Sequence, residues 1–389
     1  MSNTKRQGSK PCADGSFKGF DAWLQLTVRM TNLITPKSII EVQEAVRAST
    51  KLHARGALTK TALHPDQAYD VLDMRQLTGI LEYDPQEFVL TAYAGTPVAD
   101  IEKLLTDKGQ YLPFDPLLVQ RGATLGGTVA ANASGPGRFR YGGVRDFLIG
   151  TKFVDGAGTL LRGGGKVVKN AAGFDYPKLM VGALGKLGVL VELTFKVFPR
   201  PEKYMTLSVE KSSLEDTLNT LYKLNTTPLD LEALDFAPLP APTQPYPPLG
   251  MGVRTGEGFW LAVRVGGLAN GLMPRIERIQ QLIGAGEVLR EDADKTFWQG
   301  ARELDWATNG VVTKIPTTPE RIKELEGQLG NTARRYSVGG NVAYVAAPFA
   351  QDGFSSLPLL GDQSRLITQT QHAFAQRIKQ ALDPENKFV

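Results

Sequence analysis

The chain has 389 residues, and this length favours two lobes over a single core. Its net charge of +4 is spread along the sequence without a basic run, which excludes a nucleic-acid-binding module but suits a phosphate-bearing ligand. The single cysteine, Cys12, excludes an internal disulfide and an iron–sulfur cluster, and no apolar run reaches the roughly 18 residues of a membrane span, so we expect a cytoplasmic protein without a metal site.

The first part of the sequence predicts a small α+β unit. Ser38 stands at the expected cap of an amphipathic helix, which should end near Ala48. A second helix is predicted from about Val98 to Lys108. The predicted strands of this part lie at residues 51–55, 68–73, 79–83, 88–92, 151–154 and 190–197.

Glycine is concentrated in one stretch of this first part. Residues 122–188 hold 17 of the 41 glycines, which indicates backbone pressed closely against something, although glycines also form ordinary tight turns. Loops at residues 55–60 and 122–128 combine glycine with threonine, and consecutive N–H groups in such loops bind anions. Together with residues 185–189 they suit a long ligand with a central diphosphate. The sequence contains neither a Rossmann nor a P-loop fingerprint.

A second lobe is predicted beyond Pro199 and Pro201. Its β-α-β-β-α-β rhythm is typical of an antiparallel sheet backed by helices. The proline-rich residues 238–248 predict an extended surface loop. The predicted strands lie at residues 205–210, 231–236, 259–265, 287–291, 310–314, 334–337 and 341–346, and the helices at residues 214–224, 274–283, 295–304, 319–329 and 364–382.

Several motifs resemble those of the PCMH-type FAD-binding flavoproteins, the vanillyl-alcohol-oxidase family. The resemblance covers about residues 35–201 and residues 381–384. Its motifs are the loop at residues 55–60, Ala123-Thr124-Leu125-Gly126-Gly127, Lys169-Asn170-Ala171-Ala172-Gly173-Phe174-Asp175, Gly185-Lys186-Leu187-Gly188-Val189-Leu190 and Ala381-Leu382-Asp383-Pro384. Finer motifs resemble the branch of FAD-binding E subunits of glycolate oxidase (glycolate dehydrogenase), and they lie at residues 91–97, 112–116, 134–136, 144–150 and 198–201.

This resemblance implies an α+β fold with FAD as the cofactor. A PCMH-type FAD-binding domain of two α+β subdomains is expected, together with a ferredoxin-like α+β cap that contains an antiparallel sheet. The implied division is an N-terminal segment at residues 1–33, the FAD-binding domain at 34–201, the cap at 202–350 and a C-terminal helix returning to the FAD domain at 351–389.

The resemblance also implies which residues contact the flavin. Neither loop holds a His or Cys, so we expect FAD to bind non-covalently. Ala57 and Leu58 replace the usual glycines and place bulk beside the phosphate, and Lys186 replaces a more common Thr. The expected cofactor-binding residues are Arg55, Gly56, Ala57, Leu58, Thr59, Lys60, Pro113, Gly122, Ala123, Thr124, Gly126, Gly127, Thr128, Ser134, Gly135, Tyr141, Gly142, Lys169, Asn170, Gly188 and Val189.

No catalytic residue can be assigned from the sequence. His53, His64 and His372 are expected to have packing or surface roles, and the cap lacks the His-rich cluster of catalytic 2-hydroxy-acid dehydrogenases. We therefore favour the FAD-binding subunit of a glycolate (2-hydroxy acid) oxidase/dehydrogenase complex. The implied partners are a second flavoprotein subunit and an iron–sulfur subunit, and any membrane association would run through these partners.

Two alternatives stay open. One is a stand-alone FAD-dependent oxidoreductase that acts on another hydroxy acid or alcohol with cap residues such as Arg264, Tyr336 or Tyr344. The other is a flavin-free structural subunit, which the altered first loop would permit. Arg138, Arg140 and Arg145 flank Tyr141 and Gly142, and this arginine–aromatic cluster would bind a ligand phosphate, stack on a ring or form a solvated loop.

Overall fold

The computed structural model describes residues 30–63, 68–165, 174–239, 258–361 and 373–389. None of the helices in these ranges is long and apolar enough to cross a membrane. Several sequence predictions lie outside the described residues, namely those for the N-terminal segment, Cys12, His64, Lys169, Asn170, His372, most of the proline-rich loop and the first part of the last helix.

The first lobe contains a parallel and an antiparallel sheet, as expected for two α+β subdomains. β1, β3 and β2 form the three-stranded parallel sheet, whereas β4, β5, β9, β7 and β8 form the five-stranded antiparallel sheet. β10 pairs with β6. The elements are β1 (Met30–Ile34), α1 (Ile39–Ala48), β2 (Leu52–Arg55), β3 (Tyr69–Asp73), β4 (Ile80–Asp84), β5 (Val89–Tyr93), α2 (Val98–Thr106), β6 (Gln110–Tyr111), α3 (Leu125–Ala130), α4 (Arg138–Tyr141), α5 (Val144–Phe147), β7 (Leu148–Val154), β8 (Leu160–Gly164), α6 (Tyr176–Met180), β9 (Val189–Lys196) and β10 (Phe198–Pro199).

Local signals in the sequence explain several of these elements. α1 begins where predicted, because the Ser38 side chain accepts a hydrogen bond from the Glu41 amide at 3.2 Å. Its apolar face packs against the parallel sheet, and Val42 and Val46 are fully buried. The antiparallel sheet packs on α2 and α3 through a separate core, in which the Phe114 and Phe195 rings lie 5.5 Å apart.

The second lobe is built on one eight-stranded sheet. The order of its strands is β14-β11-β13-β12-β16-β17-β15-β18, and all of the neighbours pair antiparallel. A last helix, α11, returns to the first lobe. The elements are β11 (Lys203–Lys211), α7 (Leu214–Thr226), β12 (Leu231–Pro238), β13 (Phe259–Gly267), α8 (Ala269–Ile283), β14 (Glu287–Arg290), α9 (Glu291–Glu303), β15 (Val312–Pro316), α10 (Ile322–Leu329), β16 (Arg334–Ser337), β17 (Val342–Val345), β18 (Leu357–Leu360) and α11 (Ala373–Leu382).

This sheet consists of two ferredoxin-like halves. In β11-α7-β12-β13-α8-β14 the fourth strand lies beside the first, which is followed by the third and the second. β15, β16, β17 and β18 repeat this order, and the second strands of the two halves, β12 and β16, pair at the centre. The predicted α+β cap with an antiparallel sheet is therefore confirmed, but it has twice the strands of a single ferredoxin-like unit.

Several elements differ from the sequence predictions, and three of them lie in the second lobe. α8 begins at Ala269 rather than at Pro274, so this proline lies inside the second turn of the helix instead of at its start. α9 begins at Glu291, directly after β14, instead of at residue 295. β18 was not predicted, and it lies in the stretch 351–389 that was assigned to the C-terminal helix. Pro358 weakens the sequence pattern that would indicate a strand here. A proline is tolerated in β18 because this strand lies at the edge of the sheet.

Asp383 anchors the C-terminal residues to the first lobe. Its fully buried carboxylate accepts hydrogen bonds from the Lys387 and Phe388 amides at 2.8 and 2.9 Å and binds the Lys379 ammonium. The Leu382 carbonyl accepts a hydrogen bond from the Gly156 amide at 2.7 Å. A parallel bridge between Leu52 and Phe388 extends the first sheet.

We expect Asp383→Ala to destabilise the protein by about 3–5 kcal/mol, because it leaves the partly buried Lys379 ammonium without its counter-ion and two buried amides without an acceptor. Asp305→Ala is the matched control, since it removes an exposed pair with Arg121 and should cost less than about 1 kcal/mol. Urea denaturation followed by circular dichroism measures both variants. Equal midpoints for the two variants would contradict the anchoring role.

Candidate cofactor site

A cavity of about 960 Å³ lies in the first lobe, between the two glycine-containing loops. Its wall comes from four separate parts of the chain, which are residues 53–60, 124–131, 182–190 and 375–389, with additional single residues such as Met74 and Ala94. This volume is at the upper end of the roughly 300–1,000 Å³ that is usual for ligand sites. Both loops and the C-terminal segment therefore share one cavity.

The first loop follows β2 directly and presents free backbone donors. The amides of Gly56, Ala57, Leu58, Thr59 and Lys60 donate no hydrogen bond to another residue in the described part of the chain. Leu58 has a φ of 56°, a left-handed conformation that is costly for a side chain of this size. These residues are only half-buried and border the cavity, so their unpaired amides are suited to bind an anionic ligand there.

The second loop is packed tightly against the first. A Cβ atom at Gly56 would lie 2.1 Å from Thr124 Oγ1, and one at Gly126 would lie 2.8 Å from the Ala94 Cβ. Thr124 caps α3, because its hydroxyl accepts a hydrogen bond from the Gly127 amide at 3.3 Å. Only glycine at positions 56 and 126 permits this close approach of the loops to their neighbours.

A buried ion pair fixes the start of the first loop. Arg55 Nη2 lies 3.2 Å from Asp73 Oδ2, and Arg75 binds the same carboxylate at 2.7 Å. Burial raises the pKa of Asp73, but the hydrogen bonds of Arg75 and the charges of both arginines outweigh this effect and lower the pKa below its ordinary value. Arg55 is thus held by its own counter-ion at the base of the loop, whereas the following amides face the cavity.

Lys60 is a cation of the first loop that remains available to a ligand. Burial lowers the pKa of Lys60 to about 8, and its ammonium contacts only Thr59 Oγ1, at 3.3 Å, among the described residues. Lys379, which also lines the cavity, already has three acceptors in Asp383, the Lys186 carbonyl and the Phe388 carbonyl. An anion beside the first loop would therefore find Lys60 without a competing carboxylate.

Eleven of the predicted cofactor-binding residues line this cavity. Nine of them belong to the two loops. The other two lie at the start of β9, in the third predicted segment at residues 185–189. These residues are Arg55, Gly56, Ala57, Leu58, Thr59, Lys60, Thr124, Gly126, Gly127, Gly188 and Val189.

Eight predicted residues lie away from the cavity wall, where packing explains them. Thr128 and Ala123 are fully buried, and Gly122 has a φ of 88° in a turn. Pro113 is buried ahead of α3, and the other four lie between α3 and α5, where Ser134 Oγ accepts a hydrogen bond from the Val144 amide at 3.0 Å. The eight are Pro113, Gly122, Ala123, Thr128, Ser134, Gly135, Tyr141 and Gly142. Their contacts with a cofactor stay predictions, as do those of Lys169 and Asn170.

Other cavity residues were not predicted from the sequence. His53 lies on β2 with its ring edge against Tyr69, so the residue expected to have a packing role also lines the cavity. Leu184 has a φ of 53° and joins the wall beside Gly185. The motif at residues 381–384 signalled the approach of the C-terminus, but nothing local marked Lys379 or Phe388 as cavity residues.

The cap residues suggested for catalysis point in different directions. The Tyr336 hydroxyl donates a hydrogen bond to Glu326 on the helical side of the sheet. Arg264 pairs with Asp294 at 2.6 Å and stacks on Tyr204. Only Tyr344 contacts the first lobe, where its hydroxyl donates a hydrogen bond to the Ser134 carbonyl at 3.2 Å. No metal-binding group of three His, Cys, Asp or Glu side chains occurs in the described ranges.

Sequence comparison places these loops in a known cofactor-binding family. Residues 31–164 match the family described as "FAD binding domain". Glycolate oxidase subunit GlcE of Escherichia coli is 35% identical over 322 residues, which cover 79% of this chain and 89% of that protein. Glycolate oxidase subunit GlcD of Bacillus subtilis is 32% identical over 44% of this chain and 37% of its own length. D-2-hydroxyglutarate dehydrogenase of Xanthomonas citri pv. viticola is 31% identical over 84% of this chain and 66% of its own length.

The fold of the whole chain is also found in a solved enzyme structure. Alkyldihydroxyacetonephosphate synthase superposes with a TM-score of 0.66 over 91% of this chain and 76% of the other, with 14% sequence identity. This likeness concerns the fold alone. FAD is the cofactor of the present protein, and the unpartnered amides of the first loop, the available Lys60 and the size of the cavity fit its diphosphate.

We expect Gly56→Ala to reduce FAD content and to destabilise the flavin-free protein by about 1–3 kcal/mol, because the new methyl group forces the first loop away from Thr124. Gly327→Ala is the control, since this exposed glycine of α10 has no atom within 4 Å of its Cβ position and should tolerate alanine. Flavin absorbance per protein and thermal unfolding measure both variants. Full FAD occupancy in Gly56→Ala would refute the tight loop contact.

We expect Lys60→Met to weaken FAD binding by about tenfold, the usual order for one charge-assisted hydrogen bond, while riboflavin binding stays unchanged. Wild-type affinity for FAD should fall as the pH rises through about 8, where the lysine loses its proton, and the variant should lose this dependence. Because burial disfavours the charged lysine, the flavin-free variant should also melt higher at neutral pH. Exposed Lys103→Met is the control, and fluorescence titration gives the affinities.

The site and the relatives agree on one assignment. The family match spans both phosphate loops, and the GlcE similarity extends through the cap to most of the length of that protein. The fold, with its FAD lobe and antiparallel cap, is that of PCMH-type flavoproteins. The chain belongs to the PCMH-type family of FAD-binding oxidoreductases that includes the glycolate oxidase subunit GlcE.

Proposed function

We propose that this protein is the FAD-binding subunit of a glycolate (2-hydroxy acid) oxidase/dehydrogenase complex. In this complex it carries flavin for electron transfer with a second flavoprotein subunit and an iron–sulfur subunit. The observation that carries the proposal is the 35% identity to GlcE over 89% of that subunit. GlcD is another subunit of glycolate oxidase, and part of the present chain is similar to it. This similarity supports the idea that one partner subunit is itself a related flavoprotein.

Electron flow gives a chemical reason for the partners. Bound FAD supplies a hydride acceptor that releases its electrons one at a time. The chain has one cysteine in 389 residues, so it cannot supply the ligands of an iron–sulfur cluster. An iron–sulfur cluster that accepts electrons from this flavin would therefore lie on another subunit, in agreement with the proposed partner.

The residues of the first lobe bind and orient the cofactor in this proposal. The amides of the first loop and Lys60 bind the diphosphate, and Thr124 holds the second loop against Gly56. Lys379 and Asp383 close the cavity from the C-terminal side. Lys169 and Asn170 keep their predicted role beside the flavin ring. Since no His or Cys lies in either loop, the flavin is bound non-covalently.

We also propose a division of labour between the lobes. Residues 34–201 and the C-terminal segment form the cofactor-binding unit, and residues 202–350, extended by β18, form the cap. The protein acts in the cytoplasm, and any membrane association runs through its partner subunits. A stand-alone oxidoreductase would need catalytic groups from the cap. Arg264 and Tyr336 do not favour this alternative, because each already binds an acidic side chain of the cap.

Co-expression with the two partner subunits tests this function. We expect the three chains to co-purify, to hold FAD on this subunit and to reduce a dye with glycolate, whereas the isolated chain holds FAD that glycolate does not reduce. A complex with Gly56→Ala should assemble but lose dye reduction, and Gly327→Ala is again the control.

Two results would replace the proposal. Rapid reduction of the isolated chain's flavin by glycolate would favour a stand-alone oxidoreductase. Full complex activity with a flavin-free version of this subunit would favour a structural role.

A further inference from the structure

The last helix, α11, is buried at one end and exposed at the other. Phe374, Ile378 and Leu382 follow one another at four-residue spacing and so form one stripe of the helix. Leu382 is 8% exposed and Ile378 packs against the core of the first lobe, whereas Phe374 is 67% exposed. All of the residues from Ala373 to Arg377 are exposed, and we call them the exposed half of the helix. This half rises above the surface of the lobe.

A second stripe of α11 lines the FAD cavity. Its members in the cavity wall are Ala375, Gln376, Lys379 and Gln380. Ala375 and Gln376 belong to the exposed half, so this half borders the cavity while its side chains stay open to solvent. Lys379 belongs to the anchored half, where its ammonium donates a hydrogen bond to the Lys186 carbonyl at 2.7 Å.

The other three walls of the cavity are tied to one another. The first loop packs on the second at Gly56, where a side chain has no room. The wall at residues 182–190 is tied to the end of α3, because the Leu184 amide donates a hydrogen bond to the Ala130 carbonyl at 2.9 Å. α11 differs from these walls, since displacing its exposed half breaks few buried contacts.

The anchor of α11 lies at its C-terminal end. There the buried Asp383 carboxylate accepts two backbone hydrogen bonds and pairs with Lys379, and the Leu382 carbonyl accepts one from the Gly156 amide. A helix that is fixed at this end can open from its other end, because a short helix has little stability of its own. The exposed half can therefore leave the cavity while Asp383 stays in place.

We propose that α11 is a strap across the FAD cavity, whose exposed half packs on the bound cofactor and opens when FAD enters or leaves. Ala375 and Gln376 contact the cofactor, and Asp383 keeps the strap attached while it opens. FAD is a long molecule, and a cavity of about 960 Å³ with three interlocked walls gives it one movable side through which to pass. This role does not depend on the substrate of the protein.

Ala375→Gly tests the opening step, because glycine weakens a helix relative to alanine. We expect association and dissociation of FAD both to become about fivefold faster, the factor that corresponds to this difference in helix propensity. The strap opens more often in the flavin-free and in the FAD-bound protein alike, so the dissociation constant of FAD should stay the same. Stopped-flow flavin fluorescence measures both rates.

Ala269→Gly is the matched control, because Ala269 is an exposed alanine in the first turn of the cap helix α8. Its FAD rates should equal those of the wild type. Unchanged rates in Ala375→Gly would overturn the strap. Faster dissociation with unchanged association and a weaker affinity would overturn it as well, since α11 would then be a contact of the cofactor that does not control its passage.

Hydrogen exchange measured by mass spectrometry locates the moving segment. The backbone amides of α11 should exchange at least about tenfold more slowly in the FAD-bound protein than in the flavin-free protein, because the packed cofactor opposes opening. Peptides from α8 are the control and should exchange alike in both forms. Equal exchange of α11 in both forms would contradict the strap even if the complex oxidises glycolate. Slower exchange without glycolate oxidation would support the strap and remove the proposed function.

Discussion

The contact of Gly56 with Thr124 is the constraint on which the cofactor site depends. It brings together two loops that are almost 70 residues apart in sequence, and it leaves no room for a side chain at position 56. The free amides of the first loop can face a shared cavity only because the second loop closes its other side. Arg55 and Asp73 hold the base of this arrangement, so close packing and a buried ion pair together fix the position of the first loop against the second.

Much of the first lobe could be predicted because its signals are local. The Ser38 cap, the alternating apolar residues of β9 and the glycines of both loops each act within a few residues of their own position. A glycine in such a loop indicates that the backbone closely approaches another chain segment. The sequence does not say which segment this is. Eight predicted residues lie away from this cavity and their contacts with the cofactor stay predictions; among them Gly122 and Gly142 have the positive φ values that glycine adopts in turns.

The cap shows where such reasoning stops. Its strands were predicted, but a sequence does not give the register that sets Arg335, Tyr344 and Lys314 side by side, since these residues come from three strands separated by turns and a helix. β18 was not predicted for a related reason. It is a short edge strand that contains a proline, so it lacks the alternating apolar pattern that indicates a strand. The repeated strand order of the two halves likewise emerges only from the pairing.

The wall of the cavity combines chain segments that lie far apart in sequence, and this has a consequence for folding kinetics. His53 contacts Val389, from which more than 330 residues separate it. Contacts of such high sequence separation form slowly, because the entropy of closing a long loop must be overcome first. We therefore expect the pocket to be completed late in folding, after the local hairpins of the sheets have paired.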